Sequence, residues 1–154
     1  MDRDLNLILD KYGDTVYRVA LSKTCDPEAA QDIYQDTFLL LLEKKPSFSD
    51  TAQARAWLVR TAIKLASAHR RKGDNSKTEP LDDTHTKQDD TLFELIEVMK
   101  SLDTPLRAVT MLYYIDDMSQ KEIASVLGIT VGAVKMRLKR AKNALRKIYK
   151  EELL

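Results

Sequence analysis

The chain has 154 residues, 44% apolar and only 6% aromatic, with four glycines and a net charge of +1; this suits one ordinary domain or two small ones and favours helices over sheets. No apolar run approaches the ~18 residues needed to span a bilayer, and the N-terminal MDRDLNLILD carries acids where a secretion signal carries a basic stretch, so a cytoplasmic protein without membrane insertion is expected. Cys25 is the single cysteine, which excludes an internal disulfide and a cysteine-rich metal site.

Leu5, Ile8, Leu9, Tyr12, Val16 and Ala20 recur at three- and four-residue steps, one face of a first helix. Asp26-Pro27 then stops that helix and starts another, because Asp is a good N-cap and Pro is favoured in the first turn. The second helix runs through Ile33, Phe38 and Leu41 towards Pro46, and the apolar run Phe38 to Leu42 within it reads as a buried segment. A third helix begins in TAQARAWLVR and ends at Gly73. The stretch GDNSKTEPLDDTHTKQDD has no periodicity and many turn formers, so it reads as a linker. Beyond it TLFELIEVMKSL is amphipathic, and Thr104-Pro105 opens a helix through Val109, Leu112 and Tyr113.

The C-terminal stretch is the most explicit. Ser119-x-x-Glu122 is a capping box, Gly128 is placed to end its helix with positive φ, and Thr130 caps a last helix reaching about Tyr149. At about 100° per residue, Val134, Leu138, Ala141 and Leu145 fall in one stripe that packs on Ile123, Ala124 and Leu127. The opposite face carries Gly132, Lys135, Met136, Lys139, Arg140, Asn143 and Arg146. This is helix-turn-helix geometry, in which the second helix enters the major groove. Gly132 lets the backbone approach closely, Lys135 and Arg140 suit guanine edges or phosphate, and Met136 suits a thymine methyl.

Charge is segregated in the same way. Residues 1–73 hold 12 basic and 10 acidic side chains, residues 74–105 hold 3 and 9, and residues 106–154 hold 10 and 5. An acidic middle between two positive ends points to nucleic acid at the ends. The expected architecture is therefore all-α, with no strand: two small helical domains joined by a flexible acidic linker (1–73, 74–90 and 91–154), the second a helix-turn-helix domain.

SQKEIASVLGITVGAVKMRLKRAKNAL closely resembles region four of bacterial sigma factors of the extracytoplasmic-function type. EAAQDIYQDTFLLLLEKKPSFSDTAQARAWLVRTAIKLASAHRRK resembles their region two. The resemblance covers about 26–73 and 101–146, and domain order and length also match. It implies a subunit that binds core RNA polymerase, reads the upstream (−35) duplex and holds the melted downstream (−10) strand. On that reading Asp32, Gln35 and Asp36 face a coiled coil of the polymerase's largest subunit. Arg60, Lys64, Ser67, Arg70 and Arg71 form a positive stripe for single strand, and the loop SFSDTAQA is a pocket wall. Trp57 is either core or a base-stacking surface. Thr130, Gly132, Lys135, Met136, Lys139, Arg140 and Asn143 read the duplex. Where many members carry Asn and Asp in the third helix, this chain has Lys64 and Ala68.

The implied partners are core polymerase, promoter DNA and an anti-sigma factor wedged between the domains, the free chain being mostly monomeric. The competing reading is a free-standing helix-turn-helix regulator. An enzyme is not expected: there is no glycine-rich phosphate loop, no histidine-rich metal pattern, and no Ser or Cys with an evident base partner. No cofactor is implied. Asp82-Asp83 and Asp89-Asp90 are paired acids in the linker stretch, and Cys25, His69 and His85 have no evident role.

Overall fold

A computed structural model describes residues 2–73 and 90–149; the linker stretch, His85 and most of its acids therefore lie outside the described residues. Seven α-helices and one π-helical turn account for nearly all of them, and no strand occurs among the described residues. They are α1 (Asp2–Thr24), α2 (Pro27–Lys44), α3 (Thr51–Gly73), α4 (Asp90–Ser101), α5 (Thr104–Thr110), a π-turn (Met111–Ile115), α6 (Gln120–Leu127) and α7 (Val131–Tyr149).

Local chemistry explains most boundaries. The Asp26 carboxylate accepts from the Glu28 N–H and Pro27 stands in the first turn of α2. Cys25, without an evident role in the sequence, adopts φ 55° and donates its N–H to the Leu21 carbonyl, so it terminates α1 in the left-handed region usually held by glycine. Lys45 ends α2 in the same way, with φ 45° and its N–H on the Leu41 carbonyl. At the start of α3, Asp50 accepts from the Gln53 N–H at 2.9 Å while Gln53 Oε1 accepts from the Ser49 N–H at 2.9 Å. That near-reciprocal cap stiffens the loop before α3.

The first three helices pack around Val16, Val19, Leu21, Ile33, Leu58 and Val59, each at most 2% exposed. Buried hydroxyls are satisfied within their own helices, Ser22 on the Val19 carbonyl and Thr37 on that of Ile33. This core continues without a break into Val109, Leu112, Ile123, Val126, Val134 and Leu138 of the second half. A smaller cluster of Met99, Leu102, Leu106, Met111 and Ala141 joins α4 and α5 to α7.

Two features depart from the sequence reading. The helix opened by Thr104-Pro105 does not run on as α-helix through Tyr113: it widens at Met111–Ile115, where the Asp116 N–H reaches the Met111 carbonyl at 3.2 Å. The widened turn brings Asp116 against α1, where its Oδ1 accepts from Thr15 Oγ1 at 3.0 Å and from the Arg18 guanidinium. The run Phe38 to Leu42 is not uniformly buried either. Phe38 and Leu41 are core, Leu40 is half-buried, and Leu39 and Leu42 remain 59% and 48% exposed. Five consecutive apolar residues cannot share one face of a helix that turns about 100° per residue.

Candidate nucleic-acid interface

α6 and α7 are positioned by their caps. Ser119 Oγ accepts from the Glu122 N–H at 3.0 Å and Glu122 Oε1 accepts from the Ser119 N–H at 2.9 Å. Gly128 turns the chain with φ 68°; a Cβ there would meet nothing within 4 Å, so backbone conformation, not space, calls for glycine. Thr130 Oγ1 accepts from the Ala133 N–H at 3.0 Å and starts α7. Val134, Leu138 and Ala141 are buried, with Ile123 and Ala124 on the facing helix, while Leu145 and Leu127 are half-buried.

Every residue expected to read duplex is exposed on one side of α7: Gly132, Lys135, Met136 (50% exposed), Lys139, Arg140 and Asn143, with Thr130 at the leading end. Val131, which the sequence reading did not single out, joins them at 38% exposed. None of Lys135, Lys139 and Arg140 has an ion-pair partner among the described residues. The face is therefore cationic, with an apolar point at Met136.

Glu122 carries a measurable consequence. The Ser119 N–H, then the Arg55 guanidinium and the Ser119 hydroxyl, hold its carboxyl down from an ordinary 4.5 to about 2. A depressed folded-state pKa stabilises the fold above the unfolded value and is lost as pH falls through the folded one. Part of the α6 cap should therefore be lost between about pH 4.5 and 2. Thermal melts across that window will show a smaller acid-induced loss in Glu122→Gln than in the parent chain, and the difference will be small because this side chain is 46% exposed.

A second surface lies on α3 and the loop before it. A cleft of about 780 Å³ is bounded by Phe48, Gln53, Trp57, Arg60, Lys64 and, from across, Ser125 of α6. Trp57 is half-buried and meets Phe48 edge-on, with ring centroids 6.2 Å apart. It serves as packing and as cleft wall at once, so neither of the two sequence alternatives describes it alone. Lys64 and Ser67 are exposed on α3, as is His69. Arg60 is already engaged: its Nε donates to the Val126 carbonyl at 2.8 Å and its Nη2 to the Ser125 carbonyl at 2.6 Å. Arg70 and Arg71 belong to the last turn of α3, but their side chains lie outside the described ones.

The third surface is the outer face of α2, where Asp32, Gln35 and Asp36 are exposed. Leu39 and Leu42 stand on the same face, Leu39 seven residues after Asp32 and between the directions of Gln35 and Asp36. Sequence reasoning missed both leucines, although the helical period that grouped the acids also includes them.

Family profiles match both halves of the chain: "Sigma-70 region 2" over residues 8–76 and "Sigma-70, region 4" over residues 92–145. The chain is 32% identical over 154 residues to the ECF RNA polymerase sigma factor SigL of Mycobacterium tuberculosis, covering 92% of this chain and 86% of that protein. It is 29% identical to the ECF RNA polymerase sigma factor SigW of Bacillus subtilis, covering 91% and 86%. Among solved structures it is similar to the sigma factor RpoE of Bartonella quintana, determined with the anti-sigma factor NepR (TM-score 0.75, 22% identity, 96% and 98% covered). It is also similar to CnrH, determined with the cytosolic domain of CnrY (TM-score 0.74, 26% identity, 98% and 90% covered).

Proposed function

Because this chain belongs to the extracytoplasmic-function sigma factors of bacterial RNA polymerase, which bind the core enzyme and direct promoter-specific initiation, we propose how its surfaces share that task. The outer face of α2, with Asp32, Gln35 and Asp36 around Leu39, meets core polymerase. The exposed α7 face from Thr130 to Asn143 reads the −35 duplex. Arg60, Lys64, Ser67, Arg70 and Arg71 hold the −10 strand beside the Phe48–Trp57 cleft, which is shaped for an extruded base. On this reading residues 1–73 and 91–154 are the two working units and 74–90 the connection between them.

One observation carries the reading: a bare cationic recognition face on α7 and a cationic, aromatic-walled cleft on α3 occur in one chain. Duplex and single strand need these two different surfaces, base edges in a groove for the first and charge with stacking for the second. A free-standing helix-turn-helix regulator needs only the first. Sigma factors are non-catalytic regulatory subunits, and this chain is proposed to have no enzymatic activity of its own. It works in the cytoplasm, where polymerase is, and no described helix is long and apolar enough to cross a membrane. An anti-sigma partner is also proposed, in line with the CnrH relative solved with the cytosolic domain of CnrY. It would have to part α3 from α6 or wrap around both, since these helices touch directly.

The test is reconstitution. The purified chain should be mostly monomeric and bind promoter duplex weakly. Mixed with bacterial core polymerase it should co-elute as a stoichiometric complex and direct initiation at a defined start. If core polymerase is ignored while the chain alone binds a palindromic duplex at nanomolar concentration, the free-standing regulator replaces this reading.

A further inference from the structure

We propose that the polymerase-free chain is autoinhibited by a polar clamp between its halves, and that Arg60 is the residue that changes partner when the clamp opens. The inference rests on the functional reading above. Three contacts make the clamp. Arg60 holds the Val126 and Ser125 carbonyls at the end of α6, where a cation also meets the negative end of the helix dipole. Arg55 Nη2 pairs with Glu122 Oε2 at 2.6 Å. Thr15 and Arg18 on α1 hold Asp116, whose side chain is only 3% exposed.

Closure and promoter binding are geometrically incompatible. Elements named −10 and −35 are about 25 base steps apart, roughly 85 Å at 3.4 Å per step. In the closed chain the strand-binding helix α3 is hydrogen-bonded to the first helix of the duplex-reading unit. The 17 residue steps from Gly73 to Asp90 reach roughly 60 Å when extended, which with the width of each half is enough to let both elements be engaged. Closure also masks the strand site directly: Ser125 forms the far wall of the cleft, and the Arg60 guanidinium that would hold phosphate is already engaged. The outer face of α2 stays exposed throughout, so core polymerase can dock on the closed chain.

The clamp is built to release. Asp116 Oδ2 and Arg55 Nε are buried without a hydrogen-bond partner among the described residues. Ion pairs left partly unsatisfied on burial specify a geometry more than they stabilise it. A strand phosphate offers Arg60 a charged acceptor in place of two neutral carbonyls, and charge-assisted hydrogen bonds are the stronger kind.

Two arms test the clamp. In the first, dyes at Gln31→Cys and Lys142→Cys, on a Cys25→Ser background, report the separation of the halves by energy transfer. The free chain should give high transfer, and Asp116→Asn with Glu122→Gln should lower it. The Gln keeps the capping box, so melting of α6 is not the cause, and a circular-dichroism melt verifies this. The opened chain should bind a fluorescent single-stranded promoter oligonucleotide about tenfold more tightly, as expected if the competent form is a minor one in the parent. In the second arm, Arg55→Cys and Glu122→Cys are joined by a short bis-maleimide. The locked chain should still co-elute with core polymerase but lose at least about tenfold in start-specific transcription relative to the same chain unlocked. Low transfer in the parent chain, or full transcription by the locked chain, overturns the proposal. Failure of the unlocked chain to bind polymerase counts against the functional reading instead, and the transfer measurement still decides the clamp.

Discussion

Lys135→Glu or Arg140→Glu is expected to abolish recognition of the −35 duplex while leaving the polymerase complex intact. Both side chains stand exposed on the outer face of α7, with no ion-pair partner among the described residues, so neither stabilises the fold and both are available to DNA. One bidentate contact to guanine is worth about 1–3 kcal/mol of discrimination. A reversed charge adds repulsion from phosphate, and the combined loss should be about a hundredfold or more. Footprinting with the reconstituted holoenzyme measures it, and raising salt should weaken the parent more steeply than the variants. Met136→Ser should shift base preference with little change in overall affinity, because it exchanges an apolar partner for a thymine methyl rather than a charge. Parent-like binding by both charge reversals would mean that the groove face has been misassigned.

Asp32→Arg combined with Asp36→Arg should weaken the complex with core polymerase by about a hundredfold, and Leu39→Ala alone should also be damaging. The acids are exposed on α2, so their replacement should change stability by no more than about 0.5 kcal/mol. Leu39, 59% exposed in the free chain, lies amid those polar groups, the arrangement of an interface anchor within a polar rim. The two kinds of change should separate kinetically. Charge reversal should slow association and alter its salt dependence, whereas Leu39→Ala should hasten dissociation. Surface plasmon resonance with immobilised core polymerase distinguishes them. If the acid reversals leave both rates unchanged, polymerase docks elsewhere.

What was legible in the sequence was whatever is encoded within a few residues. Asp26-Pro27, the Ser119–Glu122 capping box and Gly128 each act on backbone groups one to five positions away, so spacing alone identifies them. The α7 stripe was legible for the same reason, since helical period converts a list of residues into two faces. Leu39 was within reach of that arithmetic, but an apolar run drew the eye to burial in place of direction. The Asp50–Gln53 cap was likewise present as a Ser/Thr/Asp-x-x-Glu/Gln spacing and passed over.

By itself the sequence determined that the chain is helical, where most helices begin and end, and which side of α7 is cationic, because each follows from local hydrogen bonding and period. Only the tertiary structure decided that Arg60 grips the end of α6, that a π-turn brings Asp116 onto Thr15 and Arg18, and that Phe48 and Ser125 close a cleft around Trp57. Those contacts join residues from 9 to 101 positions apart. Which distant charge meets which is set by how two apolar faces pack, and no spacing rule carries that information.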